Sequence, residues 1–150
     1  MITYRQAVVA DANIIADLGR KLYSDDNTFE KLYDEAREHI NSGKWAIFLA
    51  FEENSAVGLC EISLRSDYVE GTEGGTVGYI EGVFVLPEYR NQHIAKNLIL
   101  LCEDWSRGQG CIEFASDCTL ENTDGLQFHL NVGFAEAGRN IHFVKKLGGK

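Results

Sequence analysis

The chain has 150 residues, of which 45% are hydrophobic and 25% charged, and its formal net charge is −9. This length fits one domain with a single core, residues 1–150, and the ordinary composition excludes a disordered chain. The negative charge excludes the basic face of a nucleic-acid-binding protein, and no apolar run reaches the roughly 18 residues of a membrane span.

Four cysteines lie at positions 60, 102, 111 and 118, without a CxxC pair and without a histidine at zinc-site spacing. Buried, reduced thiols in a cytoplasmic protein are the expected state of such cysteines. The N-terminal residues lack the apolar stretch of a signal peptide. We therefore expect a cytoplasmic protein with no metal site, no membrane partner and no nucleic-acid partner.

The first part of the chain predicts a strand followed by two helices. Residues 2–6 favour a short strand, and Asp11 is a plausible N-cap for the first helix. Apolar residues then recur at helical spacing in two stretches, separated by a polar break at 24–27. The first stretch comprises Ile14, Ile15, Leu18 and Leu22, and the second comprises Phe29, Leu32, Tyr33, Ala36 and Ile40. The polar and glycine residues at 41–43 end the second helix.

From residue 45 onward the chain predicts six strands and two helices. The strands span 45–51, 57–66, 77–86, 111–117, 134–139 and 141–146, and the helices span 94–108 and 123–132. The first of these strands is apolar on both faces, and Gly133 is suited to end the last helix. Adjacent strands favour antiparallel pairing, whereas the strand–helix–strand step around 94–108 requires a parallel crossover. The order β-α-α-β-β-β-α-β-α-β-β therefore predicts a mixed α/β sheet with helices on both faces.

The passage from Glu81 to Lys96 is the most informative part of the sequence. A strand ends at Pro87, a short turn carries Arg90, and a helix begins near Ile94. The start of such a helix presents unpaired backbone N–H groups and a positive dipole end, which suit a phosphate or pyrophosphate. Arg90 and Lys96 add positive charge at the same place. The same residues also fit an ordinary strand–turn–helix with surface cations, so the residues alone leave both interpretations open.

The hexapeptide Arg90-Asn91-Gln92-His93-Ile94-Ala95 follows a strand that ends in Val-Leu-Pro, and it resembles the acetyl-CoA signature Gln/Arg-x-x-Gly-x-Gly/Ala of the GNAT superfamily. The order of elements resembles that fold over nearly the whole chain. Segments that resemble bacterial aminoglycoside 6′-N-acetyltransferases lie at 63–71, 80–90, 114–117, 121–123 and 133–134. The resemblance implies a GNAT fold, with a mostly antiparallel sheet that splays between the fourth and fifth strands. It also implies an acetyl-CoA-dependent N-acetyltransferase of the antibiotic-resistance type.

The resemblance further implies where acetyl-CoA, the co-substrate, binds. Its pantetheine arm would lie beside the fourth strand, on backbone groups of Val83, Phe84 and Val85. The pyrophosphate would lie on the signature, and Asn122 would form a hydrogen bond near the thioester. The residues implied in the pyrophosphate site are Arg90, Asn91, Gln92, His93, Ile94, Ala95 and Lys96.

One residue departs from the signature. His93 stands where the motif has its first glycine, and glycine lets a backbone approach a phosphate without a Cβ in the way. His93 therefore either weakens cofactor binding or takes helical dihedrals that point its imidazole outward, where it could meet a phosphate. We expect the second.

Acetyl transfer to an amine needs a neutral nitrogen, so a carboxylate should help to remove the proton of the ammonium form. Glu81 lies on the predicted cofactor strand and Asp117 at the end of the next, and the resemblance places both in the acceptor pocket. Tyr68 from the acidic loop and Tyr23 after the first helix are further candidates for the wall of that pocket. Structural roles also fit: a solvent-facing position for Glu81, a turn cap for Asp117 and helix core for Tyr23.

Many GNAT enzymes place a tyrosine four residues before a Gly-Phe pair to protonate the leaving thiolate, and the resemblance puts His129 in that position. An imidazole can donate this proton, although a helical histidine also fits a structural role. Cys118, next to Asp117, raises a route through an acetyl-cysteine. The resemblance instead implies direct transfer in a ternary complex.

The expected acceptor is a primary amine of an aminoglycoside-like polycation, because carboxylates around the predicted pocket would hold its other ammonium groups. Another small amine, a polyamine or a free amino acid, is an alternative, and an amino acid would need a cation such as Arg65 or Arg139 for its carboxylate. A non-catalytic acetyl-CoA-binding protein is a third alternative, because of His93 and the missing tyrosine. Relatives of this type are often dimers, so the resemblance implies a homodimer.

Overall fold

The computed structural model of the protein describes residues 1–22 and 27–149. They form two compact units, Met1–Asp117 and a second that begins at Cys118. The first unit contains β1 (Ile2–Gln6), α1 (Ala12–Leu22), α2 (Phe29–Ser42), β2 (Trp45–Glu52), β3 (Ser55–Arg65), β4 (Val77–Val85), α3 (Ile94–Gly108) and β5 (Phe114–Ala115). The second contains α4 (Thr123–Asn131). Tyr23 and the predicted break at 24–26 lie outside the described residues.

The five strands form one sheet in the order β1-β2-β3-β4-β5. The pairs from β1 to β4 are antiparallel, and β4 and β5 are parallel. Parallel neighbours need a crossover connection, and α3 provides it between β4 and β5. The predicted mixed α/β sheet is thereby confirmed, with element boundaries within about two residues for most strands and helices.

Helices cover both faces of the sheet. On one face Ile47, Leu49 and Leu59 are fully buried and pack in one cluster with residues of α1 and α2. On the other face α3 packs on β2, β3 and β4. Burial on both faces explains the continuous apolar run of β2, as predicted. Each large aliphatic side chain buried here contributes about 1.5–3 kcal/mol to the free energy of folding.

The ends of α2 follow from local chemistry. The Thr28 hydroxyl accepts a hydrogen bond from the Lys31 N–H at 3.1 Å, which satisfies one of the unpaired donors of the first turn. Gly43 ends the helix with φ 73°, a left-handed conformation that glycine adopts without steric cost. Asp11 directly precedes α1, and its carboxylate accepts hydrogen bonds from the Val8 N–H and both terminal guanidinium nitrogens of Arg5.

The cysteines are free, and three of the four are buried. Burial raises the pKa of the Cys60 thiol well above its usual value, with the neighbouring Cys102 acting in the same direction. Cys118 is exposed, unlike the buried state expected for it. None of the helices in the described part of the chain is long and apolar enough to span a membrane.

The strand β5 is much shorter than the predicted strand at 111–117. It pairs with β4 only through Gly78 with Phe114 and Tyr79 with Ala115. Beyond Tyr79, no strand among the described residues pairs with this side of β4. The edge of β4 from Ile80 to Val85 is therefore open, which is the expected splay between the fourth and fifth strands.

The two strands predicted at 134–139 and 141–146 are wrong, because residues 134–149 contain no helix or strand. A strand is stable only where a neighbouring strand pairs with its backbone, and an alternating apolar pattern does not provide that neighbour. The apolar side chains of this segment are strongly exposed: Ile141 81%, Phe143 90%, Val144 93% and Leu147 90%. Gly133 has φ 102°, in agreement with its predicted role at the end of α4.

Candidate active site

The open edge of β4 leads directly to the start of α3. Pro87–Tyr89 forms a single 3₁₀ turn after β4, and His93 precedes the first residue of α3. The side chain of His93 makes no capping hydrogen bond. The first N–H groups of an α-helix have no partner within the helix, so the amides of Ile94, Ala95 and Lys96 present donors and a positive dipole end. This arrangement fits a pyrophosphate followed by an extended chain along β4.

The expectation that His93 takes ordinary helical dihedrals is wrong. His93 has φ 63° and ψ 17°, which is the left-handed conformation, and its side chain is exposed. Asn91 also has a positive φ, of 65°. Glycine is favoured at such positions, while asparagine and histidine adopt them more readily than most other residues. The loop therefore keeps a glycine-like backbone in spite of the substitution.

Arg90 does not extend from the loop toward the start of α3. Its Nε donates a hydrogen bond to the Val85 carbonyl at 3.1 Å, and its guanidinium carbon lies 6.0 Å from the centroid of the Phe84 ring. The Arg90 side chain thus links the loop to the end of β4. Val83 and Phe84 are partly buried and Val85 is buried, while Gln92 and Lys96 are exposed.

Glu81 occupies an irregular position in the sheet. Glu61 of β3 pairs with Gly82 and Ile62 pairs with Ile80, so Glu81 is the extra residue of a β-bulge. Bulges occur next to active sites, where they redirect a side chain. This bulge aims the Glu81 carboxylate at two neighbours on β3.

A tight hydrogen-bond network holds the Glu81 carboxylate. Arg65 Nη2 donates to Glu81 Oε1 at 2.8 Å, and Arg65 Nε donates to Oε2 at 3.0 Å. The buried hydroxyl of Ser63 also donates to Oε2. A bidentate guanidinium–carboxylate pair fixes both the position and the orientation of the acid. Since Arg65 is half-exposed, with 43% of its side chain accessible, the pair contributes more to geometry than to stability.

The same arginine joins Glu81 to Asp117. The Arg65 guanidinium carbon lies 3.6 Å from the centroid of the Tyr79 ring, and the Tyr79 hydroxyl donates a hydrogen bond to Asp117. Burial raises the pKa of Tyr79 to about 12, with the negative charge of Asp117 as the next cause. The tyrosine is therefore neutral at pH 7 and serves as a hydrogen-bond donor. The two predicted carboxylates thus belong to one network at the end of β5.

Other predicted residues lie apart from this network or in the second unit. Tyr68 is 70% exposed in the loop before β4, and its hydroxyl accepts a long hydrogen bond of 3.4 Å from the Gly71 N–H. Asn122 is the N-cap of α4, where its Oδ1 accepts from the Gly125 N–H at 2.8 Å. Tyr23 lies outside the described residues.

His129 is held on α4 by its own helix. Its Nδ1 lies 2.6 Å from the Gly125 carbonyl, and its ring packs against Phe128 and Phe134. A carbonyl oxygen only accepts, so Nδ1 carries the proton of this hydrogen bond. A neutral ring carries its single proton on Nδ1, so Nε2 donates a proton only when the ring is an imidazolium.

Three residues of the network did not emerge as acceptor-site residues from the sequence. Ser63 and Tyr79 were not predicted, and Arg65 was considered only as a partner for an acceptor carboxylate. The signal for Tyr79 was present, because a residue two positions before Glu81 on a strand lies near it on the same face. Ser63 and Arg65 required the register of β3 against β4, which the sequence does not state.

The fold and the site together define an acyltransferase architecture: an open strand edge, an uncapped helix start and a carboxylate on the same strand. The chain belongs to the acetyltransferase (GNAT) family, whose model matches residues 13–134.

Individual relatives narrow this class. The chain is 36% identical over 132 residues to an aminoglycoside N(6′)-acetyltransferase type 1 of Acinetobacter haemolyticus, covering 87% of this chain and 89% of that one. It is 36% identical over 147 residues to the enzyme of the same name from Stenotrophomonas maltophilia, covering 97% and 94%. Among solved structures it resembles AAC(6′)-Iy in complex with the bisubstrate analogue CoA-S-monomethyl-acetylneamine. That likeness has a TM-score of 0.92 and 31% identity, and it covers 97% of this chain and 99% of that one.

Proposed function

We propose that this protein moves an acetyl group from acetyl-CoA to a primary amine of an aminoglycoside, by direct transfer in a ternary complex. The observation that carries the proposal is that β4 contributes to both the cofactor part and the acceptor part of the site. Its backbone edge is open from Ile80 to Val85, next to the uncapped start of α3, and its bulge carries Glu81. One strand can then bring the thioester and the amine together.

Acetyl-CoA is the co-substrate and supplies the acetyl group as a reactive thioester. The backbone groups of Val83, Phe84 and Val85 would pair with the pantetheine arm, as a further strand pairs with an open edge. The amides from Gln92 to Lys96 would hold the pyrophosphate, with Lys96 adding positive charge. Asn122 would approach the arm through its amide nitrogen, because its Oδ1 caps α4.

The acceptor is assigned from its chemistry and from the relatives. The similar enzymes carry the name aminoglycoside N(6′)-acetyltransferase, and the similar structure holds an analogue that joins CoA to an aminoglycoside amine. An aminoglycoside bears several ammonium groups, which carboxylates bind through charge-assisted hydrogen bonds. Glu81 and Asp117 would serve this purpose, with Tyr68, and Tyr23 beyond the described residues, as walls of the pocket.

The residues of the network would also handle the protons. The amine nitrogen attacks the thioester carbonyl carbon, a C–N bond forms and the C–S bond breaks. Before attack the ammonium must lose a proton, which Glu81 or Asp117 would accept, directly or through water. The nitrogen loses a second proton, to water, as the amide forms, and the leaving thiolate gains a proton, for which His129 in its imidazolium form is the candidate donor. Arg65 acts indirectly, by holding the Glu81 carboxylate in place.

A free amino acid is a weaker candidate for the acceptor. Its carboxylate would need a cation, and Arg65 is already paired with Glu81 at 2.8 Å. Arg139, the other candidate, is paired with Glu136 at 2.9 Å in the second unit. A new carboxylate would have to displace one of these partners.

A thiol-release assay tests the proposal. Acetyl-CoA with neomycin should give turnover, and mass spectrometry should find one added acetyl group. Paromomycin has a hydroxyl in place of the 6′-amine of neomycin and serves as the matched control that should not react at that position. Turnover only with spermidine or amino acids would overturn the assignment of the acceptor, and binding of acetyl-CoA without any turnover would overturn catalysis.

We also propose that the protein is a cytoplasmic homodimer. Cysteines without disulfides are typical of reducing compartments, where acetyl-CoA is also made. The exposed apolar side chains of the C-terminal segment, Ile141, Phe143, Val144 and Leu147, are of the kind that a second copy covers. Light scattering should give twice the monomer mass, and Phe143→Glu should shift the protein toward the monomer. A monomeric wild-type enzyme would refute the dimer.

A further inference from the structure

The acceptor side of the sheet continues into a cleft beyond Glu81. This cavity has a volume of about 210 Å³ and lies between the sheet and the helices α1 and α2. Its polar and aromatic lining consists of Asn27, Glu35, His39, Trp45, Glu61 and Glu81. Because Glu81 belongs to both, the cleft and the proposed acceptor site are continuous. Pockets that enclose a drug-sized ligand measure about 300–1,000 Å³, so this cleft has room for one ring rather than a whole aminoglycoside.

An aromatic pair forms part of the wall. The rings of His39 and Trp45 are parallel to within 1°, and their centroids are 3.6 Å apart. Stacking against the neighbouring ring restricts the indole, so it is preorganised for a ligand. Burial lowers the pKa of His39, against the opposing effect of the Glu35, Glu38 and Glu81 carboxylates. His39 is therefore neutral at pH 7 and adds no positive charge to the wall.

The charge of the cleft favours a cation. Glu35 of α2 and Glu61 of β3 face it, together with Glu81 of β4, whose charge is balanced by the paired Arg65. None of the described residues that line it is a lysine or an arginine. An indole face attracts an ammonium group, and carboxylates bind the same group through charge-assisted hydrogen bonds. An aromatic wall with carboxylates around it thus matches one amino-sugar ring.

We propose that Trp45, backed by His39, is a specificity-determining residue that binds a second ammonium-bearing ring of the acceptor, with Glu35 and Glu61 holding its ammonium groups. The inference rests on the proposed function, since the reacting ring is placed at Glu81. It adds that the enzyme selects acceptors of two or more rings over single-ring amines.

The test compares two acceptors in the full-length enzyme. Neamine has two amino-sugar-like rings, and methyl 6-amino-6-deoxyglucoside offers the reacting amine on one ring alone. In Trp45→Leu we expect kcat/KM for neamine to fall about tenfold, through KM rather than kcat. The value for the single-ring amine should change less than about twofold, because that acceptor does not reach the cleft. Trp45→Phe should restore most of the loss, since it keeps an aromatic face.

A binding measurement separates recognition from a folding defect. Trp45 and Trp105 are the two tryptophans of the chain, so a Trp105→Phe background reports Trp45 fluorescence alone. Neamine should change this fluorescence with a midpoint near its KM, and the single-ring amine should not. Glu61→Gln should weaken neamine binding about tenfold in the same background, as expected for loss of one charge-assisted hydrogen bond.

The outcomes distinguish this inference from the function on which it rests. If wild type acetylates neither compound, the proposed function fails. If wild type acetylates both and Trp45→Leu weakens both equally, or neither, the second-ring site is wrong while acetyl transfer stands. If Trp45→Leu lowers the thermal stability, its activity loss cannot be read as a binding effect. The activity of Trp45→Phe and the fluorescence titration, both measured on folded protein, then decide the question.

Discussion

The two halves of the proposed active site, one for the cofactor and one for the acceptor, are built from different parts of the chain. The cofactor half consists mainly of backbone: the open edge of β4 and the N–H groups at the start of α3. The acceptor half consists of side chains, in which Ser63, Arg65 and Tyr79 fix the two carboxylates. Backbone groups are present whatever the side chain, so the cofactor half tolerates a substitution that keeps its dihedral angles. The acceptor half has no such tolerance.

His93 illustrates this difference. It replaces the glycine of the signature, yet the loop retains a left-handed residue with φ 63° at that position. In the acceptor half, loss of one carboxylate would leave the Arg65 guanidinium without its partner. Four substitutions test this difference between the two halves, and the largest effect is expected at Glu81.

We expect Glu81→Gln to lower kcat/KM for an aminoglycoside by about 100-fold or more, because the amide neither accepts a proton nor attracts an ammonium group. The dissociation constant of acetyl-CoA should stay within about twofold, since the backbone of β4 is unchanged. Steady-state kinetics and calorimetry measure the two values. Glu103→Gln, which removes a carboxylate paired with Arg107 on α3, is the matched control and should leave both unchanged.

Asp117→Asn should lower kcat/KM by about 30-fold, as expected for loss of a charged partner in the acceptor pocket. It should also lower the pKa of Tyr79 from about 12, because the charge of Asp117 contributes to that value. The pKa of Tyr79 is raised on folding, so the folded state loses stability as the pH rises above 10, the ordinary value, toward 12. Ultraviolet titration, with Tyr79→Phe to assign the signal, measures the shift. An unchanged tyrosine titration would contradict the hydrogen bond to Asp117.

His129→Ala should lower kcat by about tenfold, because it removes the candidate proton donor for the leaving thiolate. His129→Gln keeps a donor for the Gly125 carbonyl and separates structure from catalysis. If His129→Gln has near-normal activity, the role of His129 is to support α4, and water protonates the thiolate. The turnover rates of both variants, compared with that of the wild type, distinguish the structural role of His129 from the catalytic one.

The smallest effect is expected for His93→Gly. Removing the Cβ from a residue with a left-handed backbone stabilises the folded state by about 1–2 kcal/mol. The greater freedom of glycine in the unfolded chain destabilises the folded state by about 0.5–1 kcal/mol. The free energy of unfolding should therefore change by no more than about 1.5 kcal/mol, and the affinity for acetyl-CoA by no more than about threefold. His93→Val places a β-branched residue at a positive φ and should weaken both clearly. Undetectable acetyl-CoA binding by the wild type would refute the cofactor site itself.

Sequence reasoning succeeded where neighbouring residues decide the structure. The helices α1, α2 and α3 follow from apolar residues at helical spacing, and Gly43 ends α2 as its position predicts. The strands β2, β3 and β4 follow from short apolar or alternating runs between turns. The start of α3 at Ile94 was predicted for the same reason.

It failed where the partner is distant in the chain. The predicted strands at 134–139 and 141–146 have no neighbour in the described structure, and β5 is limited to the two residues that β4 pairs. The Arg65–Glu81–Tyr79–Asp117 network depends on a register shift at Glu61 that no local pattern reveals.

Sequence reasoning therefore predicted the order of elements as far as α4, the two-sided burial of β2 and the strand–turn–helix that we propose binds acetyl-CoA. These depend on dihedral preferences and on periodicity, which act over a few residues. The three-dimensional structure was needed to show that Glu81 lies on a bulge, that Arg65 contacts both Glu81 and Tyr79, and that Glu81 also lines a cleft with aromatic side chains. These depend on strand register and on packing between layers, where a shift of one residue turns a side chain to the opposite face.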